Sequence, residues 1–405
     1  MTTLSARLSL GFSCIGHTYS HLFAPVFFVV VLSLEKTMGL SHGEAVALIV
    51  VGNMLFGVAA PIAGWLGDRW SATGMMAIYY IGTGAGMIAT GLADTPFQIG
   101  LGLAVTGLFG SIYHPVGVAW LVRNSIDRGT ALGLNNMFGA FGPAGGALLA
   151  GVMIDTYGWR AAFLAPGAFV IATGILFCVF LAKGVIVETH VDRKVDPPAT
   201  RGDTLRAFAA LSITVLATGF IYQATNPAIP KLFSTRVLDL QEGVLGVSAL
   251  VALVYVVSGV LQLVAGRITD MYSPRKVYVI CFMLQVPFLY LAGLLGGTPL
   301  VAVAILMICL NTGATPAENV LFARYAPAKW RSFAFGVKFV FALGLCSLGA
   351  KLEGMLFDRT GGFETLFTVL AAIAAVAFAA SLLIPPERPQ RKEEPAATPM
   401  RQAAE

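Results

Sequence analysis

Three histidines lie within long apolar stretches of the sequence, where an ionisable side chain is costly. His17 and His21 are four residues apart, so a helix would place them on one face, and His114 lies in a separate apolar stretch. Histidine exchanges protons near neutral pH because its unperturbed pKa is about 6.5. His17 and His114 are therefore our first candidates for contact with a proton or a substrate, ahead of His21.

Other roles for these histidines stay open. Each could be a neutral packing residue, or the three could together ligate zinc. No metal-binding motif surrounds them, so we expect no metal site, and no converging acids accompany them, so we expect no catalytic site. The sequence also lacks a G-x-x-x-x-G-K-[ST] phosphate loop, which argues against an ATP-driven pump, and no cofactor motif is present.

An acid and a base, Glu318 and Lys338, lie near the adjoining ends of two consecutive apolar stretches. At a rise of 1.5 Å per residue, both would be roughly 8–10 Å deep from the same side. An unpaired charge at that depth costs several kcal/mol, so we predict that they form an ion pair. The pair is structural if no cavity reaches it; otherwise Glu318 could take up a proton, or Lys338 could bind an anionic substrate.

Neutral hydrogen-bonding side chains form a further set of candidates. Several precede Pro227 and Pro230, which we expect to break a helix and free backbone carbonyls. Such groups suit a substrate with polar and aromatic parts, unless the prolines serve only to bend the helix. The candidates are Tyr19, Tyr222, Gln223 and Asn226.

A stripe of small residues predicts a close-packing helix face. Asn135, Gly139, Gly142 and Gly146 are spaced to lie on one side of a helix, which we expect to pack on a neighbour that moves. Asn135 or Asn136, at the inner end of the stripe, could reach a cavity.

Composition places the chain in a membrane. Of its 405 residues, 57% are hydrophobic and only 12% are charged. About 20 apolar residues cross the hydrocarbon core as a helix. Twelve such runs predict an all-α membrane protein with twelve transmembrane helices. The runs are 6–34, 43–66, 74–93, 97–121, 130–154, 160–184, 207–234, 243–266, 276–296, 298–323, 332–356 and 363–384.

Polar segments divide the chain into two halves of six helices. Residues 185–206 carry charges and a Pro-Pro pair and are predicted to be a cytoplasmic linker, and 385–405 are predicted to be a disordered cytoplasmic tail. The predicted half-domains are therefore 1–184 and 207–384.

Positive charge is concentrated on one side of the predicted helices. Nineteen of the 26 lysines and arginines fall in loops on one side and five on the other. By the positive-inside rule, both termini are cytoplasmic and the chain spans the inner membrane several times. This distribution accounts for the net charge of +5 without a nucleic-acid partner. Lys351 and Glu353, near the outer end of their run, are expected to reach the interface.

The two halves repeat one another. "GVAAPIAGWLGDRW" from Gly57 and "GVLQLVAGRITDMY" from Gly259 share the pattern G-V-x-x-x-x-A-G-x-x-x-D. Gly151 to Asp155 and Gly354 to Asp358 match at nearly the same shift. Duplicated halves are a common construction of secondary transporters, whose substrate site lies between the halves near the bilayer midplane.

The duplicated loop resembles the signature of the major facilitator superfamily, G-x-x-x-D-R-x-G-R-R. The first copy has Gly64, Asp68 and Arg69 but lacks the later basic residues, and the second has Gly266, Asp270 and Arg275. The resemblance implies that the loop carboxylates latch the halves on the cytoplasmic side. Asp68 would contact the start of the eleventh helix near Arg331, and Asp270 the start of the fifth near Arg128, where free N–H groups favour a carboxylate.

Shorter stretches are similar to the fosmidomycin-resistance type of drug exporter. They are "GHTYSHLF" in the first run and "SIYHPVGVAWLVR" in the fourth. Two family motifs depart from the pattern: Leu103 stands where many proton-coupled members carry arginine, and the exporter motif G-P-x-x-G-G is one residue short after Gly142.

The sequence thus predicts a secondary transporter that moves a small molecule by alternating access. Our first expectation is a proton-coupled exporter, or antiporter, of drugs or metabolites, and an importer, a uniporter or a non-transporting solute sensor are the alternatives. We expect a monomer without cofactors, whose partners are its substrate, membrane lipids and, if it is coupled, protons.

Overall fold

The computed structural model of the protein describes residues 3–125, 128–187, 201–238, 243–325 and 337–385. These residues form twelve helical elements, which we number α1 to α12, and include no β-strand. The bounds are α1 Thr3–Met38, α2 His42–Arg69, α3 Ala72–Gly91, α4 Pro96–Asn124, α5 Arg128–Tyr157, α6 Ala161–Ala182, α7 Arg201–Arg236, α8 Gly243–Met271, α9 Pro274–Leu294, α10 Gly297–Tyr325, α11 Val337–Thr360 and α12 Glu364–Leu382.

The predicted all-α fold is confirmed. Within the described residues, eleven of these helices are long and apolar enough to cross a membrane. The remaining one, α3, has 20 residues, among which glycine, threonine and tyrosine lower the hydropathy. Most of the predicted linker and nearly all of the predicted tail lie outside the described residues, so the domain bounds stay predictions.

Several helices are not regular α-helix throughout. The second consists of three consecutive pieces, His42–Ala47, Val50–Val58 and Ala60–Arg69. The eleventh contains a π-helical segment, Val340–Gly344, followed by a short 3₁₀ turn. In contrast, α7 is continuous through Pro227 and Pro230, so our expectation that these prolines break the helix was wrong.

Both ends of each six-helix half lie on one membrane face, which we call the terminal face. The backbone N–H of Val187, after α6, donates to the Ser5 hydroxyl at the start of α1, at 3.1 Å. In the second half, Arg275 at the start of α9 donates to the carbonyls of Leu382 and Ile384 at the end of α12. The face where α1 ends and α2 begins is called the opposite face.

The halves pack closely where glycines line their boundary, α5 against α8 and α2 against α11. A Cβ added to Gly57 of α2 would lie 2.2 Å from the backbone nitrogen of Gly344 of α11. One added to Gly151 of α5 would lie 2.5 Å from the Ser248 side chain of α8. Larger residues at these positions would therefore force the two halves apart.

The predicted stripe of small residues on α5 packs against α1, within the same half. A Cβ on Gly142 would lie 2.6 Å from the carbonyl oxygen of Thr18, and one on Gly146 would lie 2.7 Å from that of Leu22. The expectation of a close-packing face is confirmed, and its neighbour is α1. That this neighbour moves stays a prediction.

The predicted ion pair between Glu318 and Lys338 is present inside the second half. The ammonium of Lys338 lies 2.7 Å from Glu318 Oε1, and both side chains are buried. Tyr278 of α9 donates to Glu318 Oε2 at 2.8 Å, and Lys338 donates to Asn319 Oδ1 at 2.6 Å. These contacts tie α9, α10 and α11 together in the interior of the half.

Replacing Glu318 with glutamine should lower the free energy of unfolding by about 3–5 kcal/mol, because the Lys338 charge would stay buried without its carboxylate. Thermal unfolding of the purified protein in detergent measures the loss. The Glu318→Gln, Lys338→Met double variant should regain part of it, since no charge is then left unpaired. A double variant that unfolds at or below the temperature of the single one would contradict this.

Candidate functional site

The three histidines predicted from the sequence lie together near the middle of the bundle. His17 and His21 project from the middle of α1, and His114 lies in α4. Their ring centroids are 5.1 Å apart for His17 and His21, 5.4 Å for His17 and His114, and 5.1 Å for His21 and His114. We call these three residues the histidine cluster.

The backbone of α4 is irregular where it carries His114. Residues Tyr113–Gly117 form a π-helical turn that contains Pro115. Proline has no backbone N–H and cannot continue the regular α-helical bonding, and a single π turn is a common way to accommodate an irregularity at a functional position. The turn places Tyr113 and His114 side by side against α1.

Neighbouring polar groups hold His17 in place. Its Nδ1 lies 2.8 Å from the backbone carbonyl oxygen of Asn135, and its ring stacks on Tyr113 with centroids 5.0 Å apart. The Asn135 amide donates to the Tyr113 hydroxyl at 2.8 Å and to the Ser13 hydroxyl at 3.1 Å. Asn135 is fully buried, whereas Asn136 is exposed on α5, so the structure places only Asn135 at the cluster.

The glycine stripe of α5 also makes room for the histidine rings. A Cβ on Gly139 would lie 2.5 Å from Cε1 of His17, and one on Gly142 would lie 2.8 Å from Cβ of His21. The two glycines are thus required by the cluster as well as by the approach of α5 to α1, a connection that sequence spacing did not reveal.

The cluster faces the second half of the protein. The His114 ring stacks on Phe339 of α11, with centroids 5.6 Å apart and planes 17° from parallel, and meets Phe56 of α2 edge-on. A site at this position contacts both halves and would sense a change in their relative position.

The neutral candidates are distributed around the bundle. Tyr19 bonds with Thr173 of α6 at 3.1 Å, away from the cluster. In the second half, Gln223 donates to the carbonyl of Leu343 of α11 at 3.3 Å. Asn226 accepts a hydrogen bond from Tyr255 of α8, and Tyr222 is partly buried beside them on α7. These residues tie α7 to its neighbours.

At the terminal face, the loop carboxylate has a partner in its own half. Asp68 pairs with Arg123 at the end of α4, which is one of the nineteen positive charges counted on this side from the sequence. Arg69 lies 5.9 Å from the ring of Trp65, and a Cβ on Gly64 would be 3.1 Å from Pro115. In the second loop, Arg275 binds carbonyls of the chain after α12, and Gly266 has open space around it. Arg331 and the side chain of Arg128 lie outside the described residues.

On the opposite face, carboxylates from one half bind the helix starts of the other. Asp358, at the end of α11, accepts from the backbone N–H of Gly43 at 3.0 Å and from the Ser41 hydroxyl at 2.6 Å, where α2 begins. Asp155, at the end of α5, accepts from the N–H of Leu245 at 2.9 Å, where α8 begins. The same interaction that the loop signature predicts for the terminal face is found here on the other face.

A group of four ionisable side chains, two fully buried and two partly buried, adds to these contacts between the halves. Glu35 pairs with Lys231, and the two ring nitrogens of His42 lie 2.7 Å from Glu35 Oε1 and 2.9 Å from Glu353 Oε1. If His42 is protonated, it donates from Nδ1 to Glu35 and from Nε2 to Glu353. Glu35 and His42 belong to the first half, and Lys231 and Glu353 to the second.

Our expectation that Glu353 reaches the interface was wrong, because this side chain is fully buried. We call the contacts of these four residues, together with those of Asp155 and Asp358, the opposite-face seam. In the sequence, the feature that points to this seam is the repeat that pairs Gly151–Asp155 with Gly354–Asp358.

The fold is that of a multi-pass membrane protein built from two halves. A sequence model of the major facilitator superfamily matches the chain twice, over residues 13–210 and 211–404. The chain belongs to this family.

Relatives within the family differ in what they move. The 4-hydroxybenzoate transporter PcaK of Pseudomonas putida is 26% identical over 380 residues, which cover 83% of this chain and 82% of the relative. The multidrug resistance protein MdtG of Escherichia coli is 25% identical over 334 residues, 78% of each chain.

Solved structures show the same fold at low identity. A bacterial homologue of the human lysosomal transporter Spinster superposes with a TM-score of 0.70 at 14% identity, over 95% of each chain. The nucleoside transporter NupG gives 0.74 at 15% identity, over 93% of this chain and 99% of its own.

Asp155→Ala should loosen the opposite-face seam, because α8 would lose the acceptor at its start. Loss of such a cap costs about 1 kcal/mol, which is about a fivefold shift toward the open seam. A cysteine replacing buried Ser248, in a background with the five native cysteines changed to alanine, should then react about five times faster with a water-soluble maleimide.

Asp94→Ala is the matched control for this experiment. Asp94 pairs with Arg160 at the same face but inside the first half, so its loss should leave the labelling rate unchanged. Equal acceleration by both substitutions would show that the seam does not depend on Asp155.

Proposed function

We propose that the protein is a proton-coupled exporter of small organic molecules that works by alternating access. The observation that carries the proposal is the histidine cluster, which places three imidazole rings near the middle of α1 and α4, with His114 stacked on Phe339 of α11 in the other half. Protonation of one ring would place a charge at the boundary between the halves and change how they pack.

The opposite-face seam supports alternating access. Its contacts join the halves at the opposite face, so that face is closed in this conformation. Asp68 at the terminal face pairs with Arg123 of its own half. We infer that the seam contacts break when the opposite face opens. Because positive charge is concentrated at the terminal face, we propose that this face is cytoplasmic and that the membrane is the inner membrane.

The loop carboxylates would act in the other conformation. When the seam opens, Asp68 would exchange Arg123 for the start of α11, and Asp270 would meet the start of α5. A latch at each face in turn would stabilise two end states at the expense of intermediate ones.

Export is supported by two observations. MdtG is described as a multidrug resistance protein, and the two stretches that are similar to the fosmidomycin-resistance type of exporter are the ones that carry His17, His21 and His114. Amphipathic drugs or metabolites are therefore the substrate class that we propose.

Import of an aromatic acid is the second candidate. It is favoured by PcaK, a 4-hydroxybenzoate transporter that matches most of the chain. A hydroxylated aromatic acid would contact Phe339, which is partly exposed at the boundary between the halves.

Accumulation of labelled amphipathic drugs and aromatic acids, in cells with and without the protein, distinguishes these functions. An exporter should lower accumulation of its substrate, and a protonophore should abolish the difference. His17→Gln and His114→Gln should each remove most of the proton-dependent flux, by tenfold or more, at equal expression. Higher accumulation of an aromatic acid would favour import, and full proton-driven export by both variants would contradict the role of the cluster.

Asp68→Asn should slow transport about fivefold while leaving substrate binding intact. The carboxylate pairs with Arg123 in this conformation and would bind the start of α11 in the other, away from the substrate in both. Transport rate in proteoliposomes and ligand binding in detergent measure the two effects separately. Asp94→Asn serves as the control at the opposite face. Normal turnover by Asp68→Asn would exclude the latch.

A further inference from the structure

The nitrogens of the histidine cluster are close enough for one metal ion to reach all three rings. One nitrogen from each ring lies within 4.8 Å of the others. Tetrahedral zinc binds imidazole nitrogen at about 2.0–2.1 Å, which sets the nitrogens about 3.4 Å apart. Each ring would therefore move inward by about 1 Å or less, which small rotations of the side chains provide.

The hydrogen bond of His17 prepares its other nitrogen for such a role. The Asn135 carbonyl can only accept, so Nδ1 of the neutral ring carries the hydrogen and Nε2 keeps a free lone pair. Metal-binding histidines commonly have their second nitrogen held by a backbone carbonyl in this way, because it settles both the tautomer and the orientation of the ring.

His114 supplies an independent sign of a missing ligand. Its Nε2 is buried, and among the described residues it has no hydrogen-bond partner. A buried polar atom without a partner costs about 1–3 kcal/mol. A metal ion bound by this nitrogen would satisfy it.

We propose that His17, His21 and His114 form a binding site for a divalent transition-metal ion. In the described residues, the ligand group consists of these three imidazoles and includes neither a carboxylate nor a thiolate. Neutral imidazoles suit zinc, cobalt, nickel and copper, whereas calcium and magnesium require oxygen ligands.

Three protein ligands leave the fourth tetrahedral position for a ligand from outside the protein. Because the histidines bring no negative charge, an anion at that position would offset part of the cost of a divalent ion at this depth. The proposed ligand is therefore a divalent transition-metal ion with an anion in its fourth position.

The site can be tested without measuring transport. A failure to bind metal would therefore not count against the proposed exporter, and a failure to export would not count against the metal site. The full chain is purified in detergent through a tag without histidine and titrated with Zn²⁺ alone by calorimetry, and with Co²⁺ by visible absorption. We expect one ion per chain and tetrahedral cobalt bands without a thiolate charge-transfer band. His17→Gln and His114→Gln should each weaken binding at least tenfold.

His190→Gln is the control, since His190 belongs to the predicted linker and is not one of the three proposed ligands, so binding should be unchanged. Zn²⁺ should also raise the unfolding temperature of the unmodified protein but not that of His21→Gln, which keeps the test valid if another variant folds poorly. The proposal is overturned if the unmodified protein binds Zn²⁺ no more tightly than the histidine variants do. It is also overturned if His190→Gln weakens binding equally, or if the cobalt spectrum contains a thiolate charge-transfer band.

Discussion

A polar side chain between membrane-spanning helices must find its partner inside the protein, because hydrocarbon offers none. This constraint organises the molecule. Glu318 and Lys338 satisfy each other in the core of the second half, and Asn135 joins Ser13, Tyr113 and His17 in the first. Glu35, His42, Lys231 and Glu353 meet at the boundary between the halves, where their pairing can change when the halves move.

The two halves use one device at two places related by the repeat. Asp155 binds the start of α8, and Asp358 binds the start of α2, so each half closes on the other at the opposite face through a carboxylate and free helix N–H groups. The histidine cluster lies deeper along the same boundary, against Phe339. A proton or metal ion bound there would therefore act directly on the contact that alternating access must break and remake.

Much of the fold could be predicted because a membrane imposes a simple rule on sequence. Twenty apolar residues make a span, and the register of the repeat reveals two halves. The Glu318–Lys338 pair followed from depth alone.

Other contacts could not be predicted. Arg123 was one charge among many until the structure placed it beside Asp68, and buried Glu353 looked like an interfacial residue because depth does not tell which side of a helix faces the bundle.

The sequence by itself determined the number of spans, the duplication and the residue types that can exchange protons, because these depend on local composition and spacing. Only the tertiary structure decided that His17, His21 and His114 meet, that glycines of α5 make room for them, and that the cross-half carboxylates act at the opposite face. These facts depend on how helices distant in the chain rotate and approach, and that is set by the packing of whole faces against one another.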